Sequence, residues 1–272
     1  MKQRTNWPAT TLITLGSLFI FVPLYLAISI ALKTPKELAD SAFSLPLGFH
    51  FENFADAIKA TNFFMAIKNS AVITITTVIF TILTNSMVAY AIARNLHRKF
   101  FKGLYYYFVS ALFVPFPIIM MPLVKQISAF GMDNSAGLIF LYIVYGAALN
   151  IFIYVGYIRS IPKELEEAAI VDGCSTWGVF WKVIFPLLSP INATIAILTC
   201  LWAWNDFLLP LVILDKPSDA TLPLVQYVFK GQFSSNYNLA FASYLLALAP
   251  MVIVYVIAQK WIIGGVVKGA IK

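Results

Sequence analysis

Pro162 to Pro190 reads PKELEEAAIVDGCSTWGVFWKVIFPLLSP, a charged and amphipathic stretch set between two long apolar runs. Pro162 starts a helix well, because the N–H it lacks would have no intrahelical partner. Glu164, Glu166 and Glu167 fall in the first turns, where the helix dipole favours negative charge. Leu165, Ala168 and Ala169 form a narrow apolar face whose small residues allow another surface to approach closely. Gly173 can take the left-handed conformation that ends a helix, and Ser175 or Thr176 can cap the next one. Pro186 and Pro190 mark entry into the following apolar run. The pattern predicts a short helix, a sharp turn and a second helix lying at one face of a membrane.

The membrane assignment comes from composition. The 272 residues are 60% hydrophobic and 11% charged, with mean hydropathy +0.82. Soluble domains carry about 25% charged residues. Six runs approach the ~20 apolar residues that a membrane helix needs: Thr10–Leu32, Ser70–Ile92, Leu104–Val124, Gly137–Ile158, Leu187–Leu209 and Leu239–Gln259. None alternates as a barrel strand would, so the expected fold is all-α with six spans. The first run is too long for a signal-peptide core and reads as an uncleaved helix. Cys174 and Cys200 fall in different environments and form no disulfide or metal pattern. The net charge of +7 is scattered over short loops and makes no nucleic-acid patch.

The basic residues orient the chain. With the N-terminus inside, the inner segments hold Lys2, Arg4, Arg94, Arg98, Lys99, Lys102, Arg159, Lys163, Lys182, Lys260, Lys268 and Lys272. The outer segments hold the smaller share, Lys33, Lys36, Lys59, Lys68, Lys125, Lys216 and Lys230. Both termini and the Pro162–Pro190 loop are then cytoplasmic. The organisation expected is an N-terminal segment 1–9, a first span 10–32, an outer loop 33–69, a five-helix domain 70–259 with its loop at 159–186, and a tail 260–272. Within the outer loop, Phe51, Phe54, Ala55 and Ile58 make one helical face, with Glu52, Asp56 and Lys59 turned away. The second long outer segment, Asp215 to Asn238, is rich in Ser, Asn, Pro and Tyr and is suited to face a partner.

Glu167-Ala168-Ala169, three residues, Gly173, nine residues and Val183-Ile184-Phe185-Pro186 resemble the EAA loop of binding-protein-dependent ATP-binding-cassette importer permeases. Ile161-Pro162-Lys163-Glu164-Leu165 and Val171-Asp172-Gly173 are similar to the carbohydrate branch of that family. So are Glu52-Asn53-Phe54, Asn69-Ser70 and Trp204-Asn205-Asp206-Phe207 with Pro210-Leu211. Gly265-Val266-Val267-Lys268-Gly269 resembles the tail of the maltose-type small permease subunit. The resemblance therefore covers nearly the whole chain.

It implies a six-helix type I importer permease fold with a cytoplasmic coupling helix. It also implies a second permease subunit, a cytoplasmic ATPase dimer that binds ATP and Mg, an extracytoplasmic sugar-binding protein and a sugar, in a bacterial or archaeal plasma membrane. Glu164, Glu166, Glu167, Ala168, Ala169, Asp172, Gly173 and Pro186 would couple to the ATPase, with Gly265, Lys268 and Gly269 as a second contact. In the maltose-type systems the partner permease carries much of the sugar contact.

No engine is encoded in this chain. Gly264 and Gly269 have P-loop separation, but Ala270-Ile271 stand where Lys and Ser/Thr are needed. His50 and His97 build no catalytic constellation, so the chain is expected to be a non-enzyme binding no cofactor itself. Asp206 is the only ionisable side chain within the six runs, and such a residue normally faces a cavity or a partner. Trp204, Asn205, Asp206, Asn85 and Asn150 are candidate groups along a substrate pathway, or structural hydrogen-bonders. The competing readings are an ion-coupled secondary transporter using Asp206 as proton carrier, and an amino-acid or peptide importer with the same engine.

Overall fold

A computed structural model describes residues 7–229 and 236–270, with the side chains of 258 and 260–270 excepted. The order of helices is α1 (Trp7–Ala31), α2 (Pro35–Asp40), α3 (Glu52–Ala60), α4 (Phe63–Asn95), α5 (Lys99–Ala111), α6 (Phe116–Ala129), α7 (Ser135–Ile158) and α8 (Glu164–Val171). Then α9 (Thr176–Val179) runs through a π-helical stretch, Phe180–Ile184, into α10 (Phe185–Leu187). The rest is α11 (Ser189–Asn205), α12 (Leu208–Ile213), α13 (Leu222–Val225) and α14 (Tyr237–Ala270). The predicted segment 1–9 begins outside the described residues, and of the predicted tail 260–272 only backbone to Ala270 is described.

Four helices among the described residues are long and apolar enough to cross a membrane unaided: α1, α4, α7 and α14. The other two predicted spans are broken. The run predicted as Leu104–Val124 is two helices, α5 and α6, bent by 107°. Val114-Pro115-Phe116-Pro117 explains the break: Pro115 donates no N–H, and Val114 before it is steered out of helix. The run predicted as Leu187–Leu209 is α11, bent by 74° from the Thr176–Leu187 helix before it. It also ends early, because Asp206 is extended at ψ 130° and α12 starts anew.

The chain divides into two compact units. The first holds residues to Met65 together with Val225–Val252. Its core is Ala31, Ala57, Phe229, Ala240 and Ala242. Helix ends leave carbonyls without intrahelical partners, and at the end of α1 two asparagines supply them. Asn53 Nδ2 donates to the carbonyls of Ala31 and Lys33, both at 2.9 Å, and Asn238 Nδ2 donates to those of Ile30 and Lys33 at 3.0 and 2.7 Å. On α3, Ala57 is buried with Phe54 against it; of the predicted face, Phe54 and Ile58 are half-buried, and Phe51 and Ala55 are exposed.

The sequence reading did not find α2. Thr34 and Glu37 form a reciprocal capping box with Pro35 at the first helical position, a T-P-x-E signal that was open to view. Lys33 is fully buried, and its Nζ donates to the carbonyls of Ser41 and Ala42 and to Ser44 Oγ at 2.9, 3.1 and 3.1 Å.

The second unit holds Ala66–Leu224 and the chain from Ile253. One core gathers Ile73, Ile127, Leu138, Leu141, Tyr142, Ala203, Leu209 and Ile213. The other includes Ala89, Ile92, Ile151, Tyr154, Ile158, Ala169, Phe180, Ile184 and Leu188, so the loop after α7 packs into the bundle. Along one face of α4 lie Ser70, Thr74, Thr77, Thr81 and Asn85, each 3% exposed or less. Ser70 Oγ accepts the N–H of Leu222 at 2.8 Å. The hydroxyls of Thr74, Thr77 and Thr81 and the Asn85 Nδ2 have no hydrogen-bond partner among the described residues.

Candidate functional site

The Pro162–Pro190 loop forms a helix, a reversal and a second helix. α8 ends at Gly173, whose φ is +85°. The Cys174 N–H reaches back to the carbonyl of Ala169 at 2.9 Å, the bond that closes a Schellman turn. Ser175, one of the two predicted caps, accepts the N–H of Gly178 at 3.2 Å and starts α9. Pro186 lies within α10.

The faces of α8 divide differently from the apolar count in the sequence. Glu166 and Ala169 point inward, one turn apart. Leu165, which the sequence places with Ala169, is 44% exposed, and Ile170 and Val171 are more so. Glu164, Glu167, Ala168, Asp172 and Gly173 are exposed. The carboxylate of Glu166 is taken up inside the bundle. Arg94, near the end of α4, pairs with it, and Tyr90 Oη donates to it at 2.6 Å. Arg94 also donates to the Ile161 carbonyl at 3.2 Å. The Tyr90 ring packs on Phe180 with centroids 5.4 Å apart. The last turns of α4 therefore grip both helices of the loop. No spacing rule in the sequence reveals this pairing, since the partners lie in separate helices.

A cavity of about 550 Å³ lies among α5, α6, α7 and α11. Asn150 lines it, as do Tyr107, Tyr145, Thr199 and Trp202, four side chains that the sequence reading did not select. The other predicted pathway residues are not at its wall. Trp204 is buried in the core. Asn205 donates to the Leu201 carbonyl at 2.7 Å. Asp206 accepts from Tyr142 Oη at 3.0 Å and from the Leu208 N–H at 3.1 Å, across the break that starts α12. Asn85 is buried on the polar face of α4, where its Oδ1 accepts from Thr84 Oγ1 at 3.3 Å. Gly265, Lys268 and Gly269 lie on α14, at positions where only the backbone is described.

Comparison with known proteins takes in this loop and most of the rest of the chain. The family of binding-protein-dependent transport system inner membrane components covers residues 85–268. The chain belongs to that family. It is 40% identical to the multiple sugar-binding transport system permease protein MsmG of Streptococcus mutans, over 96% of this chain and 95% of that protein. It is 36% identical to the probable starch degradation products transport system permease protein AmyC of Thermoanaerobacterium thermosulfurigenes, over 94% and 93%. It is 33% identical to the melibiose/raffinose/stachyose import permease protein MelC of Bacillus subtilis, over 93% and 91%. The crystal structure of a bacterial ABC transporter involved in the import of the acidic polysaccharide alginate shares the fold, with TM-score 0.80 at 21% identity over 93% of this chain and 94% of that one. A permease of this family is a multi-pass transport component and not an enzyme. Membership also sets aside the ion-coupled transporter with Asp206 as proton carrier.

Proposed function

We propose that this chain is the permease subunit of an ATP-driven carbohydrate importer, that it forms half of the translocation pathway, and that α8 couples it to a separate ATPase. The carbohydrate reading rests on its relatives, whose names specify sugars, starch products and oligosaccharides. They favour it over the amino-acid or peptide alternative.

One observation carries the coupling reading. α8 is held from behind by Glu166 and Ala169 and presents Glu164, Leu165, Glu167, Ala168, Ile170 and Val171 outward. A short helix with acidic groups and exposed apolar side chains suits a cleft in a partner. Glu167 supplies a charge-assisted contact, Ala168 permits close approach, and Asp172 and Gly173 form the turn. Glu166 acts as a positioning residue, since its carboxylate is already engaged. Both termini and α8 lie on the cytoplasmic side, as the basic residues direct. Gly265, Lys268 and Gly269 add a second ATPase contact. Asn85 and Asn150 remain the predicted pathway residues.

The test is uptake into proteoliposomes holding this chain, its partner permease, the ATPase dimer and the binding protein. Sugar entry should require ATP and every subunit, and Glu167→Lys should leave hydrolysis without import. Uptake by this chain alone on a proton or sodium gradient would refute the reading. For topology, Cys174 in intact cells should resist a membrane-impermeant maleimide; labelling from outside would refute it.

A further inference from the structure

The cavity among α5, α6, α7 and α11 combines features that a sugar ring uses. Its volume of about 550 Å³ falls in the ~300–1,000 Å³ range of small-molecule sites, which are mostly apolar with a few placed polar groups. Asn150 and Thr199 on its wall are 4% and 5% exposed. They set an amide and a hydroxyl into an otherwise largely apolar lining, where a polar ligand can meet them.

Trp202, 37% exposed, is fixed on two sides. It stacks on Tyr145 with centroids 6.0 Å apart at 23°, and meets Tyr142 edge-on at 5.0 Å. Gly146 keeps the space beside these groups clear: a Cβ there would stand 3.2 Å from Asn150 Nδ2 and 3.6 Å from the Trp202 ring. The wall also includes Leu112 and Val114, at the break between α5 and α6. Non-helical backbone at membrane depth is tolerated where it lines a cavity, and broken helices mark transport sites.

We propose that this cavity is a sugar-contacting station on this chain itself, with a pyranose ring against Trp202 and Tyr145 and its hydroxyls on Asn150 and Thr199. The inference rests on the carbohydrate reading above. A pyranose has apolar C–H faces and a polar rim, matching an aromatic wall with an amide and a hydroxyl beside it. A lipid acyl chain would offer Asn150 and Thr199 no polar group.

The experiment uses the complete transporter in proteoliposomes with melibiose, raffinose, stachyose and maltotriose. Asn150→Leu and Trp202→Leu should each lower sugar imported per ATP hydrolysed by about tenfold and shift the preference among the four sugars. Trp202→Phe should retain most import. Import and preference unchanged in both leucine variants would overturn the proposal, as would a decline that only tracks the amount of assembled complex. If Trp202→Leu does not assemble, Thr199→Val with Trp202→Phe carries the same comparison. A wild-type transporter that imports none of a broad saccharide panel overturns the carbohydrate reading first, and the station with it. That outcome is distinct from normal import in the variants.

Discussion

Arg94 and Glu166 form an ion pair between the end of α4 and the first turn of α8, with both side chains only 12% exposed. Tyr90 Oη shares the Glu166 carboxylate, so two side chains of α4 hold α8 through one group. Breaking one partner of a buried pair typically costs ~3–5 kcal/mol, while replacing both by apolar residues costs far less. Glu166→Ala should therefore destabilise strongly, and Arg94→Met with Glu166→Met should cost less than the sum of the single changes. Unfolding of the purified protein in increasing detergent denaturant measures the cycle. In the reconstituted transporter, the single variants should hydrolyse ATP with reduced import.

Gly173 has φ +85° and no atom within 4 Å of where a Cβ would stand. Its substitution is opposed by backbone conformation rather than by crowding. Gly173→Ala should cost ~1–2 kcal/mol, and Gly173→Asn less, because Asn tolerates this region. Import should fall in that order, with protein yield as the control for gross misfolding.

The Glu37 carboxylate is held down at about 2 from 4.5, first by the Thr34 backbone N–H and then by the Leu47 N–H and the Thr34 hydroxyl. A carboxylate whose folded value is depressed stabilises the fold fully above its unfolded value, and that contribution fades as pH falls through the folded one. The α2 capping box should be unchanged from neutral pH to about 4.5 and loosen between there and about 2. Hydrogen-exchange protection at the Thr34 and Leu47 amides reports it. Glu37→Gln should remove the pH dependence over this window.

Lys33 is fully buried with its ammonium on two carbonyls and a hydroxyl. Lys33→Met strands these acceptors, at ~1–3 kcal/mol for each group left unpaired. Thermal unfolding in detergent should drop clearly. Lys36→Met, at an exposed position nearby, should stay within about 0.5 kcal/mol of wild type.

The helix–turn–helix at Pro162–Pro190 was legible because its signals are local: a proline start, glutamates in the first turn, a glycine stop and a serine cap. The spans were legible as apolar runs, but their continuity was not. Hydropathy is blind to Pro115, although Val114-Pro115-Phe116-Pro117 carried a break signal in plain sequence. Pairings between helices had no signal at all. Glu166 reads as one of three similar glutamates until Arg94 is placed beside it. Trp204 and Trp202 are alike in composition, and only packing puts the second on a cavity wall and the first in the core.

The buried face of α4 has a mechanical consequence. Thr74, Thr77 and Thr81 hold no fixed partner among the described residues, so rotating or slipping this rod breaks no hydrogen bond at those three positions. The rod is pinned toward both ends, by Asn69 and Ser70 to residues 218–222 and by Arg94 to Glu166, so strain carried along it meets no further polar latch at those three hydroxyls.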